Sequence, residues 1–149
     1  MKIGHILVAT DLSEESISSI TPVAELARLL GARITLLHAL DTLEAIPHGA
    51  PFAPPLQVVD PPENMEAVRE RLEQRRRAFG SGIDIRPELV LGGNTAEKIT
   101  DYADANDVDL IAVATHGRTG FRHLVMGSVA EGVIRRSRVP VLVFPRPKR

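Results

Sequence analysis

The sequence predicts one domain of the doubly wound parallel α/β class, a three-layer α/β/α sandwich around a five-stranded sheet. Three observations lead to this fold. Apolar runs rich in β-branched residues alternate five times with stretches of helical spacing, as in parallel sheets whose strands are connected by helices. The length of 149 residues suits a single core. No internal repeat divides the chain, so residues 1–149 are taken as one domain.

The first strand and the helix after it have clear boundaries. The apolar run from Ile3 to Ala9 predicts a buried strand. Ser13 offers an N-cap to a helix that Gly31 ends, and Pro22 predicts a bend or a break inside it. The apolar residues that recur at roughly helical spacing are Ile17, Ile20, Ala24, Ala27 and Leu30.

A proline-rich segment separates the second and third strands. Residues 33–40 predict the second strand. Residues 41–62 hold six of the eleven prolines and predict an extended loop within the domain. Residues 63–79 predict a charged helix ending at Gly80, and residues 83–91 predict the third strand. One face of that helix is formed by Met65, Val68, Leu72, Arg75 and Phe79, of which Arg75 alone is charged.

The remaining helices are predicted by their capping signals. Asn94 and Glu97 have the spacing of a capping box at the start of a helix over residues 95–107, and Ser128 and Glu131 have the same spacing at the last helix. Two further apolar runs predict the fourth and fifth strands, at residues 110–114 and 139–144.

Composition narrows the classes of function. Aromatic residues make up only 3% of the chain, too few to form a stacking platform for single-stranded nucleic acid. The chain has no cysteine, which excludes disulfides and thiolate metal sites and fits a cytoplasmic location. The start of the chain shows no signal-peptide pattern, and no apolar run reaches the length of a membrane span. The histidines form no metal-binding pattern, so we expect no protein metal site.

The strongest functional signal lies between the fourth strand and the last helix. The chain runs from residues 110–114 through a loop containing Gly117 to Gly127, where the helix begins. Unpaired N–H groups at a helix start attract anions, and glycines let a phosphate approach the backbone. The motif is neither a Walker loop nor GxGxxG. It therefore predicts an anion site of another kind.

Charge is distributed unevenly around this signal. Between Thr115 and Arg149 lie eight Arg or Lys residues and one acid, Glu131, which favours an anionic ligand. Another interpretation stays open for most of these charges. Basic residues such as those at 135, 136 and 138 suit the C-terminal end of a helix, and the basic tail, residues 145–149, can be a solvated end.

Gly117, followed after nine residues by Gly127 and Ser128, resembles the phosphate-binding signature of the universal stress proteins. The resemblance extends from HILVATDLS near the start to VPVLVF near the end, and is to the ATP-binding branch. It implies a Rossmann-like sheet of order 3-2-1-4-5, ATP with a Mg²⁺ ion carried by the triphosphate, and a homodimer paired through residues 139–144. The family has a further glycine where this chain has Ala114, so Ala114→Gly is expected to tighten ATP binding.

The resemblance also implies which residues contact adenosine. Asp11 would contact the ribose or the base, although a carboxylate between a strand and a helix is equally typical of a turn or a helix cap. Ala9 would line the base pocket, and Ala39 would present its backbone N–H and C=O to adenine. His38 beside it is most simply interpreted as a buried polar group with one partner.

For the phosphates, the resemblance implies binding by backbone N–H groups around the glycine loop. The residues concerned are Gly117, Gly127, Ser128 and Val129, and Ala114 lies on the same path. Arg118 and Arg122 would screen the phosphate charge, or else lie in an exposed loop. The alternative for Ser128 is a helix cap without a ligand.

Three functions follow from these expectations. The first is an ATP-binding regulatory or stress-response module that hydrolyses ATP slowly at most, because no general base is evident. The second is an interaction protein of the same fold that binds no nucleotide. The third is an ATP-dependent hydrolase or transferase, which would need a positioned acid and base that the sequence does not reveal.

Overall fold

The computed structural model describes residues 2–40, 65–115 and 127–145. Five parallel strands form one sheet in the order β3-β2-β1-β4-β5, which confirms the predicted order. The strands are β1 His5–Ala9, β2 Arg33–Leu40, β3 Ile85–Leu91, β4 Leu110–Ala114 and β5 Val141–Phe144. Sequence order reverses direction between β1 and β4, which are neighbours in the sheet.

Helices cover both faces of the sheet and complete the three predicted layers. They are α1 Glu14–Ile20, α2 Val23–Leu30, α3 Met65–Arg76 with a 3-10 turn at Arg77–Phe79, α4 Thr95–Ala105 and α5 Ser128–Arg136. Side chains of α1, α2 and α3 pack in one apolar cluster, and those of α4 and α5 pack in another. Alternate residues of β1 supply the two clusters, because successive strand side chains point to opposite faces.

The structure shows the helix start, the helix end and the break that the sequence predicts around the first two helices. The Ser13 hydroxyl accepts from the Ser16 N–H at 3.1 Å and caps α1. Gly31 ends α2 in the left-handed region, with φ of 63°. Pro22 separates α1 from α2, so the break predicted there is confirmed. Of the apolar residues at helical spacing, Ile17, Ile20, Ala24 and Ala27 are buried, whereas Leu30, the last residue of α2, is 42% exposed.

The charged member of the α3 stripe has a structural explanation. Val68, Leu72 and Phe79 are buried as predicted. Arg75 follows Leu72 along the same face, and its Nε donates to the Leu12 carbonyl at 3.1 Å. The guanidinium also pairs with the Glu14 carboxylate. Arg75 therefore fastens α3 to the connection between β1 and α1.

At the end of the sheet where the strands begin, polar side chains join β1 to its neighbours. Nε2 of the buried His5 lies 2.8 Å from Thr35 Oγ1. Burial, followed by the positive charge of Arg33, lowers the pKa of His5. Asp109 accepts from the Gly4 and His5 N–H groups at 2.8 and 3.0 Å, and the first of these bonds is the main cause of its lowered pKa. These contacts join the N-terminal ends of the strands, at the opposite end of the sheet from the C-terminal ends.

Several predictions fall outside the described residues. These are the loop over residues 41–62, the start of α3 at residues 63–64, the loop residues Gly117, Arg118 and Arg122, and residues 146–149 of the tail. Within residues 2–40, 65–115 and 127–145, no helix is long and apolar enough to cross a membrane.

Candidate functional site

A cavity of about 160 Å³ lies at the C-terminal ends of β1, β2 and β4. The N-terminal turns of α4 and α5 form its remaining walls. This position is where open α/β sheets bind ligands, because the connections leave β1 and β4 in opposite directions and open a crevice. Pockets for whole ligands of drug size measure roughly 300–1,000 Å³, so a cavity of this size has room for only part of such a ligand, about one ring system.

The cavity walls are mostly small and apolar. Four alanines contribute to the lining: Ala9, Ala39, Ala114 and Ala130. Larger aliphatic side chains close the α4 and α5 side, from Ile99 and Val129. Short side chains on several walls leave a mostly apolar space, with the polar residues Thr10, Asp11, His38 and Thr95 also in the lining. Such a space suits an aromatic ring that carries polar groups at its edge.

Asp11 lies at the cavity in a turn that fixes its carboxylate. Its Oδ1 accepts from the Ser13 N–H at 3.0 Å and from the Ser13 hydroxyl at 2.7 Å. The structure thus gives Asp11 the turn role that the sequence left open. Because Asp11 also lines the cavity and is exposed, its turn role is compatible with contact to a ligand.

His38 is the second titratable side chain among the described residues of the cavity wall. Its Nδ1 lies 2.8 Å from the Thr10 carbonyl, which only accepts hydrogen bonds, so Nδ1 carries the proton. Burial is the largest influence on the pKa of His38 and lowers it. His38 has a polar partner, as the sequence analysis expected, but the side chain is only partly buried. The lowered pKa favours the neutral imidazole near pH 7.

The backbone of Ala39 meets the cavity beyond the end of β1. Pairing between β1 and β2 extends as far as Ala9 and Leu37, and the Leu37 carbonyl accepts from the Thr10 N–H at 3.0 Å. Peptide groups alternate between the two edges of a strand. Ala39 lies two residues beyond Leu37, so its N–H and C=O occupy the same edge, past the last paired residue of β1.

The start of α5 differs from the predicted capping box. Gly127, and not Ser128, is the N-cap, and its carbonyl accepts the first helical bond from the Glu131 N–H at 3.0 Å. Ser128 is the first residue of the helix, so its side chain is past the capping position. No side chain of the described residues caps α5. The N–H groups of Ser128, Val129 and Ala130 therefore precede the first intrahelical bond.

The start of α4 is satisfied by its own cap. Asn94 Oδ1 accepts from the Glu97 N–H at 3.2 Å, as the sequence predicts. Thr95 and Ile99 of this helix line the cavity, although nothing in the sequence assigned them to a site. The capping signal located the start of α4 correctly, but it does not show which strands that start approaches.

The predicted site residues are thus brought together in part. Those that line the cavity are Ala9, Asp11, Ala39, Ala114 and Val129, with Gly127 and Ser128 at the adjoining helix start. Gly117 and Arg118 lie outside the described residues. Within the described ranges, no group of three or more His, Asp or Glu side chains is placed to hold a metal ion.

The basic residues at the end of α5 are not part of this cavity. Arg135 pairs with Glu131 at 2.8 Å, and Arg138 lies 3.4 Å from an Asp104 carboxylate oxygen. These side chains are largely exposed, so their pairs contribute little to stability. For these charges, the interpretation as solvated helix-end residues fits the structure.

Comparison with known proteins gives one family. The model of the Universal stress protein family matches residues 2–145. The chain is 29% identical to Universal stress protein MJ0577 of Methanocaldococcus jannaschii, a match that covers 95% of this chain and 94% of that protein. It is 28% identical to Universal stress protein MJ0531 of the same organism, with 97% and 83% covered.

Solved structures share the fold. The universal stress protein from Archaeoglobus fulgidus in complex with dAMP is 23% identical, with a TM-score of 0.69 and coverage of 97% of this chain and 99% of that chain. A universal stress protein in complex with cAMP is 22% identical, with a TM-score of 0.68 and coverage of 99% and 100%. At these identities the likeness shows a common architecture.

Proposed function

Because the chain belongs to the universal stress protein family, we propose that it binds ATP in the cavity and acts as a nucleotide-dependent regulatory or stress-response module in the cytoplasm. The observation that carries this proposal is the cavity itself, which lies at the sheet's switch point beside the start of α5. In this proposal a Mg²⁺ ion accompanies the triphosphate, coordinated chiefly by phosphate oxygens and water.

Adenosine would occupy the alanine-lined part of the cavity. The mostly apolar space between Ala9 and Val129 would accept a base, and the edge of β2 at Ala39 would offer one donor and one acceptor. An adenine ring presents the complementary pair on its amino edge. Asp11 lies at the cavity mouth, where a carboxylate accepts hydrogen bonds from ribose hydroxyls.

The phosphates would bind at the start of α5. Three consecutive N–H groups there precede the first helical bond, and the helix dipole adds positive potential. Gly127 has φ of −59° and ψ of 147°, which any residue adopts, so its backbone conformation does not require glycine. In this proposal, Gly127 is a glycine because a side chain there would occupy the space of the phosphates. Gly117 and Arg118 complete this proposed site from the sequence signature.

Relatives support an adenine nucleotide as the ligand. The structural neighbours described above include complexes with dAMP and with cAMP. Both ligands contain adenine and phosphate, the two groups that the cavity and the start of α5 are proposed to accept. ATP is the ligand that the resemblance to the ATP-binding branch implies for this chain.

Turnover of ATP should be slow at most. Asp11 and His38 are the titratable side chains among the described residues of the cavity. Asp11 is held by two hydrogen bonds from Ser13, and the Nδ1 proton of His38 is committed to the Thr10 carbonyl. Neither arrangement positions a general base for water at a phosphate. A binding module therefore fits this site better than a hydrolase or transferase.

We also propose that the protein is a homodimer paired through β5. The Pro140 carbonyl accepts from Ile111 of β4, and the Phe144 carbonyl accepts from Thr115 directly after β4. By alternation, Val141 and Val143 therefore direct their peptide groups outwards. β5 is the last strand in the sheet order, and all four of its residues are only half-buried. A second β5 would pair with this edge and cover its side chains.

The opposite edge of the sheet is less suited to pairing. The Asp84 carbonyl accepts from the Ile34 N–H, and Gly92 donates to the Leu40 carbonyl, so the even-numbered residues of β3 face β2. Pro87 then lies at an outward-facing position, where it has no N–H to offer a partner strand. The contrast between the two edges favours β5 as the interface.

Titration with nucleotides tests the proposed function. Calorimetry and thermal shift with ATP, AMP and adenosine should show binding of all three, with ATP the tightest, and GTP should bind more weakly. Nucleotide that co-purifies with the protein should be adenine nucleotide. If none of these ligands binds or raises the melting temperature, the protein is a nucleotide-independent interaction module. Steady-state phosphate release at ordinary enzymatic rates would instead indicate a hydrolase.

A further inference from the structure

The turn that carries Asp11 contains a residue in an unusual conformation. Leu12 has φ of 64°, in the left-handed region that disfavours residues with a branched side chain. Its N–H donates to Thr10 Oγ1 at 3.0 Å, and its side chain is 5% exposed in the core cluster that contains Ile17. A conformation of this kind persists only where surrounding contacts hold it.

Arg75 supplies one of these contacts from a distant part of the chain. Its Nε donates to the Leu12 carbonyl at 3.1 Å, although the two residues are 63 positions apart. The Arg75 side chain is 23% exposed, whereas Glu14, its second partner, is 78% exposed. The carbonyl bond thus lies in the more protected environment, where a charge-assisted hydrogen bond is stronger.

The conformation of Leu12 sets the position of Asp11. The Asp11 carboxylate accepts two hydrogen bonds from Ser13, on the other side of Leu12. These bonds close only if Leu12 turns the chain back on itself. A contact that holds Leu12 therefore holds Asp11 at the cavity wall, where the carboxylate is part of the lining.

We infer that Arg75 is a positioning residue for the nucleotide site, clamping the Leu12 carbonyl so that the Asp11 turn stays at the cavity. The inference rests on the proposed function, since it takes Asp11 to contact adenosine. It makes α3 part of the binding equilibrium: a displacement of α3 that breaks the clamp lowers nucleotide affinity, and bound nucleotide resists that displacement to the same extent.

Arg75→Met tests the clamp, because it removes the guanidinium and keeps much of the aliphatic stem. Arg76→Met is the matched control, since it removes an equal charge from the same helix and Arg76 pairs with Glu73 of α3 itself. Glu14→Gln removes the ion pair of Arg75 and leaves the carbonyl bond. Circular dichroism selects a temperature at which every variant is folded.

Calorimetry with adenosine and ATP then measures the effect on binding. Arg75→Met should weaken both ligands by about tenfold, the effect of losing one charge-assisted hydrogen bond. The two controls should stay within about twofold of the parent. A loss confined to ATP would indicate a long-range charge effect, because adenosine is neutral. Three results would overturn the inference: a loss confined to ATP, an equal loss in Glu14→Gln, or unchanged affinity in Arg75→Met.

A double variant shows whether Arg75 acts through Asp11. If it does, Asp11→Ala combined with Arg75→Met should bind adenosine as Asp11→Ala does alone. Losses that add would overturn the inference.

Hydrogen exchange of the Ser13 amide, which donates to Asp11, gives a readout that needs no ligand. Arg75→Met should accelerate this exchange several-fold relative to Arg76→Met. If the parent binds no nucleotide, the proposed function fails while this exchange still decides whether the clamp exists. Equal exchange in both variants would overturn it.

Discussion

Gly132→Ala would test how closely the two helices beside the cavity must approach. A Cβ at Gly132 of α5 would lie 2.7 Å from the Cβ of Ala96 on α4. Carbon atoms in favourable contact are about 3.5–4.0 Å apart, so the helices would have to separate by roughly 1 Å. The Ala96 methyl cannot rotate away, and the strain must be relieved by the backbones.

Two opposing terms determine the change in stability. Alanine is favoured over glycine inside a helix by about 1 kcal/mol. Overpacking of a close contact costs about 1–3 kcal/mol. Gly132→Ala alone should therefore change the free energy of unfolding by between no effect and a loss of about 2 kcal/mol. In an Ala96→Gly background the collision is absent, so the same substitution should stabilise the protein by about 1 kcal/mol.

Urea denaturation of the parent, both single variants and the double variant measures this difference. The coupling energy should be about 1–3 kcal/mol, because the collision needs both methyl groups and only Gly132→Ala alone has both. Thr95 and Val129 line the cavity from these two helices, so Gly132→Ala should also weaken adenosine binding and Ala96→Gly should restore it. Additivity within about 0.5 kcal/mol, with unchanged affinity, would refute the reasoning.

Three further predictions concern the core, the histidines and the sheet edge. Ala114 belongs to the core cluster on the α1 face, so Ala114→Gly should cost about 1–2 kcal/mol in urea denaturation and leave ATP affinity within about twofold in calorimetry. Burial lowers the pKa of His38 and of His5, so below about pH 6.5 the unfolded chain takes up more protons. The free energy of unfolding should therefore decrease from pH 7 to pH 5, and His38→Asn should reduce that slope. Val143→Pro removes an outward N–H and no bond to β4, so light scattering should change from a dimer to a monomer of 16.2 kDa.

Each of these predictions has an outcome that would contradict it. A gain of up to tenfold in ATP affinity for Ala114→Gly would instead support the expectation from the sequence, in which the methyl obstructs the phosphates. A pH profile of His38→Asn that is parallel to the parent's would mean that this histidine titrates alike in both states. A folded Val143→Pro protein that remains dimeric would place the interface elsewhere.

Most of the fold could be predicted because its signals are local. The run over residues 110–114 forms a buried strand as its composition indicates, and Ser13, Gly31 and Asn94 end or begin helices through contacts within a few residues. Strand order depends on packing between distant segments. It came from the family resemblance, and pairing of β1 with β4 confirms it.

Residues of the candidate site could be predicted only where they belong to a family motif or lie next to a recognisable strand or helix end. Asp11 and Ala39 reach the same cavity because β1 and β2 end at one edge of the sheet. Thr95 reaches it through the packing of α4 against α5, for which the sequence has no local signal. Arg75 is recognisable in the sequence as the one charge on an otherwise apolar helix face. Its partner Leu12 is 63 positions away, so the sequence does not reveal the contact.

The capping error at Ser128 has a similar cause. Capping-box spacing indicates which residues can cap a helix, but the path of the preceding loop decides which residue takes the cap. Here Gly127 is extended and its carbonyl accepts the first helical bond, which shifts Ser128 into the helix. The consequence bears on the proposed function, because the N–H groups of Ser128, Val129 and Ala130 precede the first helical bond, where an anion is proposed to bind.

The most direct test of the account is calorimetry of Gly127→Val with ATP and with adenosine. Valine adopts the φ and ψ of Gly127 without strain, so the variant should stay folded, as circular dichroism would verify. Its side chain would occupy the proposed phosphate space and remove two or three charge-assisted hydrogen bonds of roughly 1.5–3 kcal/mol each. ATP binding should weaken on the order of a hundredfold or more and adenosine binding far less, whereas Asp11→Ala should weaken both alike. A folded Gly127→Val protein that binds ATP as tightly as the parent would contradict the phosphate site and the binding function built on it.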